Sequence, residues 1–295
     1  MVAAFAAAKV NLYLHVIGRR PDGYHLVDSL IAFADIGDRL TAEPSERLTL
    51  EISGPEAAGL AAVGDDNLVL RAARLLVDYT GTTRAAALHL EKRLPVAAGI
   101  GGGSSDAAAA LRALVALWGV PIGEEAICRL GARLGADVPA CLEDRAVWVG
   151  GIGERIEPAP HLPQAGILLA NPRRELPTAA VFAARSGLFS KVARFAPMPE
   201  DVLGLCRALK SRRNDLTDAA IGLVPEIGAV LARLDGLPGA LLTRMSGSGA
   251  TCFALFRDRG AAEKACVMLA AVEPRWWCAA GILCGNGANG RKSMS

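Results

Sequence analysis

The chain has 295 residues, 52% of them hydrophobic, with 32 basic and 30 acidic side chains and a formal net charge of +2. That length suits one large or two modest domains with well-filled cores, and so balanced a charge leaves no electrostatic footprint for nucleic acid. The seven cysteines (Cys128, Cys141, Cys206, Cys252, Cys266, Cys278 and Cys284) are odd in number and scattered, without a C-x-x-C pair, which fits reduced thiols in a cytoplasm rather than a disulfide frame or a zinc site. The apolar start Val2–Ala8 is broken by Lys9 and follows no basic stretch, so no signal peptide is expected. No segment reaches the ~18 apolar residues of a membrane span, and none is expected.

In chain order, Val10, Leu12, Leu14 and Val16 alternate with Asn11, Tyr13 and His15, the period of a strand. That alternation puts Lys9 and Asn11 on one face, opposite the aliphatic row. Pro21-Asp22-Gly23 is a turn, and strands are expected over 26–34, 38–43 and 48–53. Leu68, Ala72, Leu75 and Leu76 share one face of a helix over 67–79, with Asp65 or Asp66 as its cap. A strand over 85–90 feeds a glycine-rich loop, and helices over 106–118 and 124–134 follow, then a strand over 146–149. Prolines at 158, 160 and 163 mark the expected boundary between a first domain, 1–160, and a second, 161–295. The second half reads as a strand over 167–170 and helices over 179–184, 202–210, 216–221 and 227–234. Strands over 241–245 and 251–256 flank a Ser-Gly-Ser-Gly turn, and a helix over 261–271 and a strand over 276–283 complete the pattern. The polar, Gly/Asn-rich tail 285–295 is expected to be mobile.

The loop carries the chemistry. Pro95, Val96, Ala97, Ala98, Gly99, Ile100, Gly101, Gly102, Gly103, Ser104 and Ser105 run into Asp106 and an alanine-rich helix former. Backbone N–H groups converging on a helix N-terminus, with glycines that leave room for close approach, make a phosphate cradle. A Walker A loop is excluded because no lysine follows Gly103. A dinucleotide fingerprint fits poorly: Glu124 and Glu125 stand near the required distance but open a helix, and the loop follows several strands instead of the first. A plain turn is the other reading of a glycine cluster, but one that caps an alanine helix with Gly-Gly-Gly-Ser-Ser-Asp is too specialised for it.

The pattern P-x-x-x-G-[LI]-G-G-G-S-S-[DN]-A resembles the phosphate loop of the GHMP small-molecule kinases, which include galactokinase and the homoserine, mevalonate and phosphomevalonate kinases. Four further segments, Ala8–Leu12, Arg20–His25, Leu134–Pro139 and Met245–Cys252, are similar to one member of that family in the same order. The resemblance implies an α+β, two-domain fold with the active-site cleft between the domains. It implies ATP and Mg²⁺ as cofactors, the loop from Pro95 to Ser105 as phosphate site, and Asp137 and Lys9 as catalytic aspartate and partner. It implies a small-molecule substrate, a cytidine diphosphate-linked methylerythritol phosphorylated on its 2-hydroxyl, with Asn11, Tyr24, His25, Thr178, Ser246 and Gly247 as binding residues. Metal ligands are not assigned, and the pattern specifies no oligomeric state.

Each residue also has a plainer reading. Asp137 follows the Gly135-Ala136 break and would serve as a helix N-cap, worth about 1 kcal/mol; the company of the other motifs tips it to catalysis. Lys9 inside an apolar strand is poorly placed for free solvation. Tyr24 either stacks on a base, with His25 bonding its edge, or packs under a hairpin. Met245–Gly249 either lines a cleft or simply links two strands. His15 reads as an ordinary half-buried histidine, and four dispersed histidines lack metal spacing. Other kinases of the family, of the homoserine or mevalonate type, are the nearest alternative, and a non-catalytic ligand sensor on the same fold is the next.

Overall fold

The structure is a computed structural model and describes residues 1–60, 64–143 and 145–284. The expected tail, 285–295, lies outside the described residues. Its frame is a long antiparallel hairpin of β1 (Val2–Arg19) and β2 (His25–Ser45), paired from Val2 with Ala42 to Arg19 with His25. The sequence suggested two strands where β2 is one. The chain stays extended through Ile36-Gly37 because a register shift at Ala7/Ala8 absorbs the irregularity, and glycine at 37 lets it pass close over the Ala6 carbonyl. β1 likewise starts earlier than the alternation showed. Ala6, Ala7 and the run Ala107–Ala110 are small residues packed in one core, which allows a helix to lie close on the hairpin.

β3 (Thr49–Ser53) connects through α1 (Leu68–Thr80) to β4 (Ala85–Glu91), which lies parallel to it. The cap of α1 is Asn67, whose side chain accepts from the Val69 N–H at 2.9 Å, not one of the preceding aspartates. After the glycine loop come α2 (Gly102–Trp118), α3 (Glu124–Leu134) and α4 (Val138–Glu143), then a hairpin of β5 (Val147–Gly150) and β6 (Arg155–Pro158). β6 was missed by the sequence pattern: with one exposed face and two ends of arginine and proline, its four residues carry no alternation worth reading.

The second half contributes β7 (Ala165–Asn171), α5 (Thr178–Ala184), α6 (Val202–Lys210), α7 (Thr217–Leu223), α8 (Glu226–Asp235), β8 (Leu242–Met245), β9 (Cys252–Phe256), α9 (Arg259–Val272) and β10 (Trp277–Cys284). All the strands join one sheet, whose main path runs β3-β4-β2-β10-β7-β9-β8. β10 links the halves, pairing along β7 from Trp277 to Leu283 and touching β2 through Leu283 and Cys284. β7 is buried on both faces, with Ile167 and Leu169 in one core and Leu168 and Ala170 in another. None of the seven cysteines forms a disulfide. Among the described residues no helix is long and apolar enough to cross a membrane.

Candidate active site

Helix α2 begins at Gly102, four residues before the expected start, because Gly101 takes the cap position at φ 66° and makes no side-chain cap bond. Gly102, Gly103 and Ser104 therefore form its first turn, with N–H groups lacking intrahelical acceptors. A glycine cap leaves that turn open to an outside anion where a serine or aspartate cap would have filled it. The loop borders a cavity of ≈ 610 Å³ through Val96, Ala97, Ala98, Gly99, Gly101, Gly102, Gly103 and Ser104. Pro95, Ile100 and Ser105 point elsewhere. Pro95 is buried, Ile100 is in the core, and the Ser105 hydroxyl donates to the Ala7 carbonyl at 2.7 Å. Ala97, a residue with a Cβ, is held at φ 52°.

Two neighbours fix the loop's backbone. The Lys9 N–H donates to the Ile100 carbonyl at 2.9 Å, and a Cβ on Gly101 would sit 3.1 Å from that of Lys9. From the second half, the Thr251 N–H donates to the Ala98 carbonyl at 3.1 Å, while a Cβ on Gly99 would overlap the Gly249 carbonyl. Ser246 is fully buried between them: its hydroxyl accepts from the Asn11 N–H at 3.1 Å and donates to the Gly99 carbonyl at 3.3 Å. Asn214 holds the same turn from behind, its amide donating to the carbonyls of Met245 and Gly247 at 2.9 and 2.7 Å.

Lys9 and Asp137, 128 positions apart, meet at 2.8 Å between Nζ and Oδ2. The lysine side chain is 6% exposed and the carboxylate 45%, so a buried cation presents a carboxylate to the cavity that both line. Asp137 does precede a helix, and its carbonyl accepts the Cys141 N–H, yet its carboxylate turns to Lys9. Position and charge are both used.

The Thr178 and Ser248 hydroxyls lie 2.8 Å apart and both face the cavity, as does Gly247. Asn11 donates its amide to Ser29 at 2.9 Å, leaving a buried Oδ1 without a partner. His25 stacks on Phe182, ring centres 5.4 Å apart and planes at 28°. Partial burial, then the Arg19 and Arg185 charges, push the His25 imidazole below its usual range, so it is neutral near pH 7. Tyr24 beside it is 62% exposed in the turn between β1 and β2, not packed under the hairpin. His15 is tied into the fold: Nδ1 faces the Lys191 carbonyl at 2.9 Å and Nε2 accepts from the Arg213 N–H at 3.3 Å.

Residues 67–145 match the GHMP kinases N terminal domain and residues 200–274 the GHMP kinases C terminal region. A 4-diphosphocytidyl-2-C-methyl-D-erythritol kinase of Paramagnetospirillum magneticum is 52% identical over 274 residues, 93% of this chain and 95% of that protein. The chain belongs to the GHMP kinases. A kinase of the same printed name from Cereibacter sphaeroides is 53% identical over 95% of this chain and 98% of its own. The crystal structure of a 4-(cytidine 5'-diphospho)-2C-methyl-D-erythritol kinase, 35% identical, superposes with a TM-score of 0.80, covering 96% of this chain and 100% of that one. The mixed helix-and-sheet architecture of this GHMP kinase is the one the motifs implied. What they did not reveal are Phe182 and Asn214. Both lie outside the glycine-rich motifs, and only the fold brings them to the cavity and to the second turn.

Gly99 gives the first test of this GHMP kinase's loop. Gly99→Ala meets both a φ of 73° and the Gly249 backbone, whereas Gly119→Ala meets a φ of 60° and open space. Urea unfolding is expected to show a loss of about 1–2 kcal/mol for Gly119→Ala and a further ~1–3 kcal/mol for Gly99→Ala from overpacking. Equal losses would mean that the two turns do not press on each other.

Proposed function

We propose that this chain transfers the γ-phosphoryl group of ATP to the 2-hydroxyl of 4-diphosphocytidyl-2-C-methyl-D-erythritol, a step toward isoprenoid precursors, with the halves 1–160 and 161–295 as two domains flanking the cavity. The observation that carries this reading is the Lys9–Asp137 pair set in the same cavity as the open first turn of α2, in a chain about half identical to kinases named for that substrate. Phosphoryl transfer asks little covalent chemistry of a protein; it asks for positioned phosphates and an aimed hydroxyl. The N–H groups from Gly99 to Ser104 hold the β- and γ-phosphates. The Asp137 carboxylate accepts the hydrogen bond of the substrate hydroxyl and turns its oxygen toward phosphorus, while Lys9 fixes the carboxylate. As the new O–P bond forms and the bond to the β-phosphate oxygen breaks, the hydroxyl proton passes to Asp137 and ADP leaves. Because such transition states are loose, that proton moves late and orientation dominates.

Mg²⁺ belongs to the proposal as the counter-ion of the nucleotide, where it neutralises phosphate charge. Among the described residues no cluster of three or more His, Cys, Asp or Glu side chains would hold a metal alone, which fits an ion held chiefly by phosphate oxygens and water. Of the two carboxylates beside the phosphate loop, Asp137 keeps an open face toward such an ion, whereas Asp106 is committed to Lys92 at 2.7 Å.

The base of the substrate is assigned to Tyr24, His25 and Phe182, where stacked rings and a neutral imidazole suit a cytosine. Thr178, Ser248, Gly247 and Asn11 face the stretch between base and phosphate loop, with Ser246 and Asn214 holding the turn that carries Gly247 and Ser248.

A panel of small alcohols tests the whole reading. The cytidylated methylerythritol should be turned over with release of ADP, dependent on Mg²⁺, while homoserine and mevalonate are poor substrates. Efficient use of either of those with none of the cytidylated compound would overturn it, and absence of any ATP turnover would favour a ligand sensor.

Asp137→Asn keeps size and helix-start geometry, so its melting temperature should stay close to that of the unmodified enzyme, while kcat falls by roughly 10²–10⁴. A folded variant with near-normal kcat would return Asp137 to a capping role.

Tyr24→Ala removes a ring that is mostly in solvent, so stability should hold. Loss of base stacking of about 1–3 kcal/mol is expected as a raised KM for the cytidylated alcohol, with the KM for ATP little changed. A defect confined to ATP would place Tyr24 at the wrong end.

A further inference from the structure

Beneath the phosphate loop lies a buried charge cluster that the transfer reaction does not use. Lys92, just past the end of β4 and 1% exposed, donates from Nζ to Asp38 Oδ2 at 2.6 Å and to Asp106 Oδ2 at 2.7 Å. One cation thus serves two nearly fully buried carboxylates where Lys92 and Asp106 border the cavity, and with both ionised the cluster carries a net negative charge. The two acids are not equivalent. Asp38, on β2, also accepts the N–H groups of Arg93 and Leu94 at Oδ1, at 2.6 and 2.8 Å. Asp106 has a buried Oδ1 with no partner among the described residues. A proton entering the cluster goes to the acid with fewer donors, Asp106, and its hydrogen bond then runs to Asp38.

The surroundings agree. Burial raises Asp106, the Lys92 charge pulls it part of the way back and the Asp38 charge adds to the rise, leaving it at about 7. For Lys92, burial alone would lower the ammonium, but the two carboxylates outweigh it and the net shift is upward. Among the described residues, the other charged groups nearby have their own partners: Arg93 pairs with Glu91 and Glu56 with Arg173. From β1, Lys9 is committed to Asp137. From α4 comes Cys141, a thiol that burial pushes up to about 12, and α1 and α3 present Val69, Ala72, Leu130 and Leu134. Asp106 lies in the turn that directly follows Gly102–Ser105, and a Cβ on Gly102 would be 3.2 Å from Lys92 Nζ. Phosphates seated on that first turn therefore act on the cluster across a few ångströms of low-dielectric protein.

We propose that Asp106 is a positioning residue that takes up a proton from solvent when nucleotide phosphates bind, converting the cluster beneath the loop from net negative to neutral. The proposal rests on the reading of the loop as a nucleotide phosphate site. Its sign follows from linkage: bound anions raise the affinity of Asp106 for a proton, so binding consumes protons near neutrality and nucleotide affinity falls as pH rises. Lys92, no longer shared by two full negative charges, is then left to favour the phosphates.

Titration calorimetry with MgADP tests this, run at about pH 7.5 in buffers of differing ionisation enthalpy, so that the dependence of heat on buffer gives the protons taken up. The unmodified enzyme should take up on the order of half a proton per nucleotide more than Asp106→Asn, which keeps the shape and cannot titrate. The nucleotide's own titration is common to both and cancels. Asp38→Asn leaves one carboxylate on one cation, so Asp106 stays ionised with or without nucleotide, and this variant should lose the extra uptake too; it answers the question if Asp106→Asn does not fold. Equal proton numbers in the enzyme and either folded variant, with MgADP bound, would overturn the role of Asp106 and leave the loop assignment standing. Failure of MgADP to bind the unmodified enzyme would overturn both.

Discussion

The backbone contact between two glycine-containing turns is the constraint on which the cavity depends. A side chain on Gly99 would run into the Gly249 carbonyl, and one on Gly247 would press on the Gly99 carbonyl. The contact joins segments 150 residues apart in sequence, and Ser246 pins it by bonding both the β1 strand and the phosphate loop. The open first turn of α2 is thus held from the hairpin on one side and from the second half of the chain on the other. An anion site of this kind works by having donors already aimed, since donors that must be ordered on binding give back part of their energy as lost entropy.

Charge is organised around the same turn. The chain is nearly neutral, yet two lysines, Lys9 and Lys92, are buried within reach of the loop. Burying an ammonium costs several kcal/mol unless a carboxylate and good geometry offset it. Each lysine meets that condition differently. Lys9 has a single acid that keeps one face toward the cavity, whereas Lys92 has two acids that are nearly fully buried. The first arrangement exposes a carboxylate to chemistry, and the second tunes the field beneath the phosphates.

Much of this was legible in the sequence where local physics decides. The alternation of Val10 to Val16, the helix over 124–134 and the glycine loop each read directly from spacing, because a strand face, an amphipathic stripe and a helix cap are properties of neighbours in the chain. The start of α2 was misplaced because Gly102 and Gly103 are poor helix formers whose place in the first turn is set by tertiary contacts with Lys92, Leu94 and Leu68. The split of β2 failed for a related reason: Ile36-Gly37 looks like a break until β1 is laid beside it. Phe182, Asn214 and the Lys92 cluster were out of reach, since nothing around them in sequence announces that distant segments will supply their partners.

The place of β10 bears on how the chain comes to its fold. Residues 277–284 lie between β7 and the middle of β2, inside the sheet rather than at an edge. Until that stretch leaves the ribosome, β7 lacks a neighbour on one side and the Phe33–Ala34 portion of β2 stays uncovered. The apolar edge of β7 therefore waits for a strand made more than a hundred residues later, and such edges template pairing with other chains. The sheet closes by a pairing of large sequence separation, the kind that slows folding.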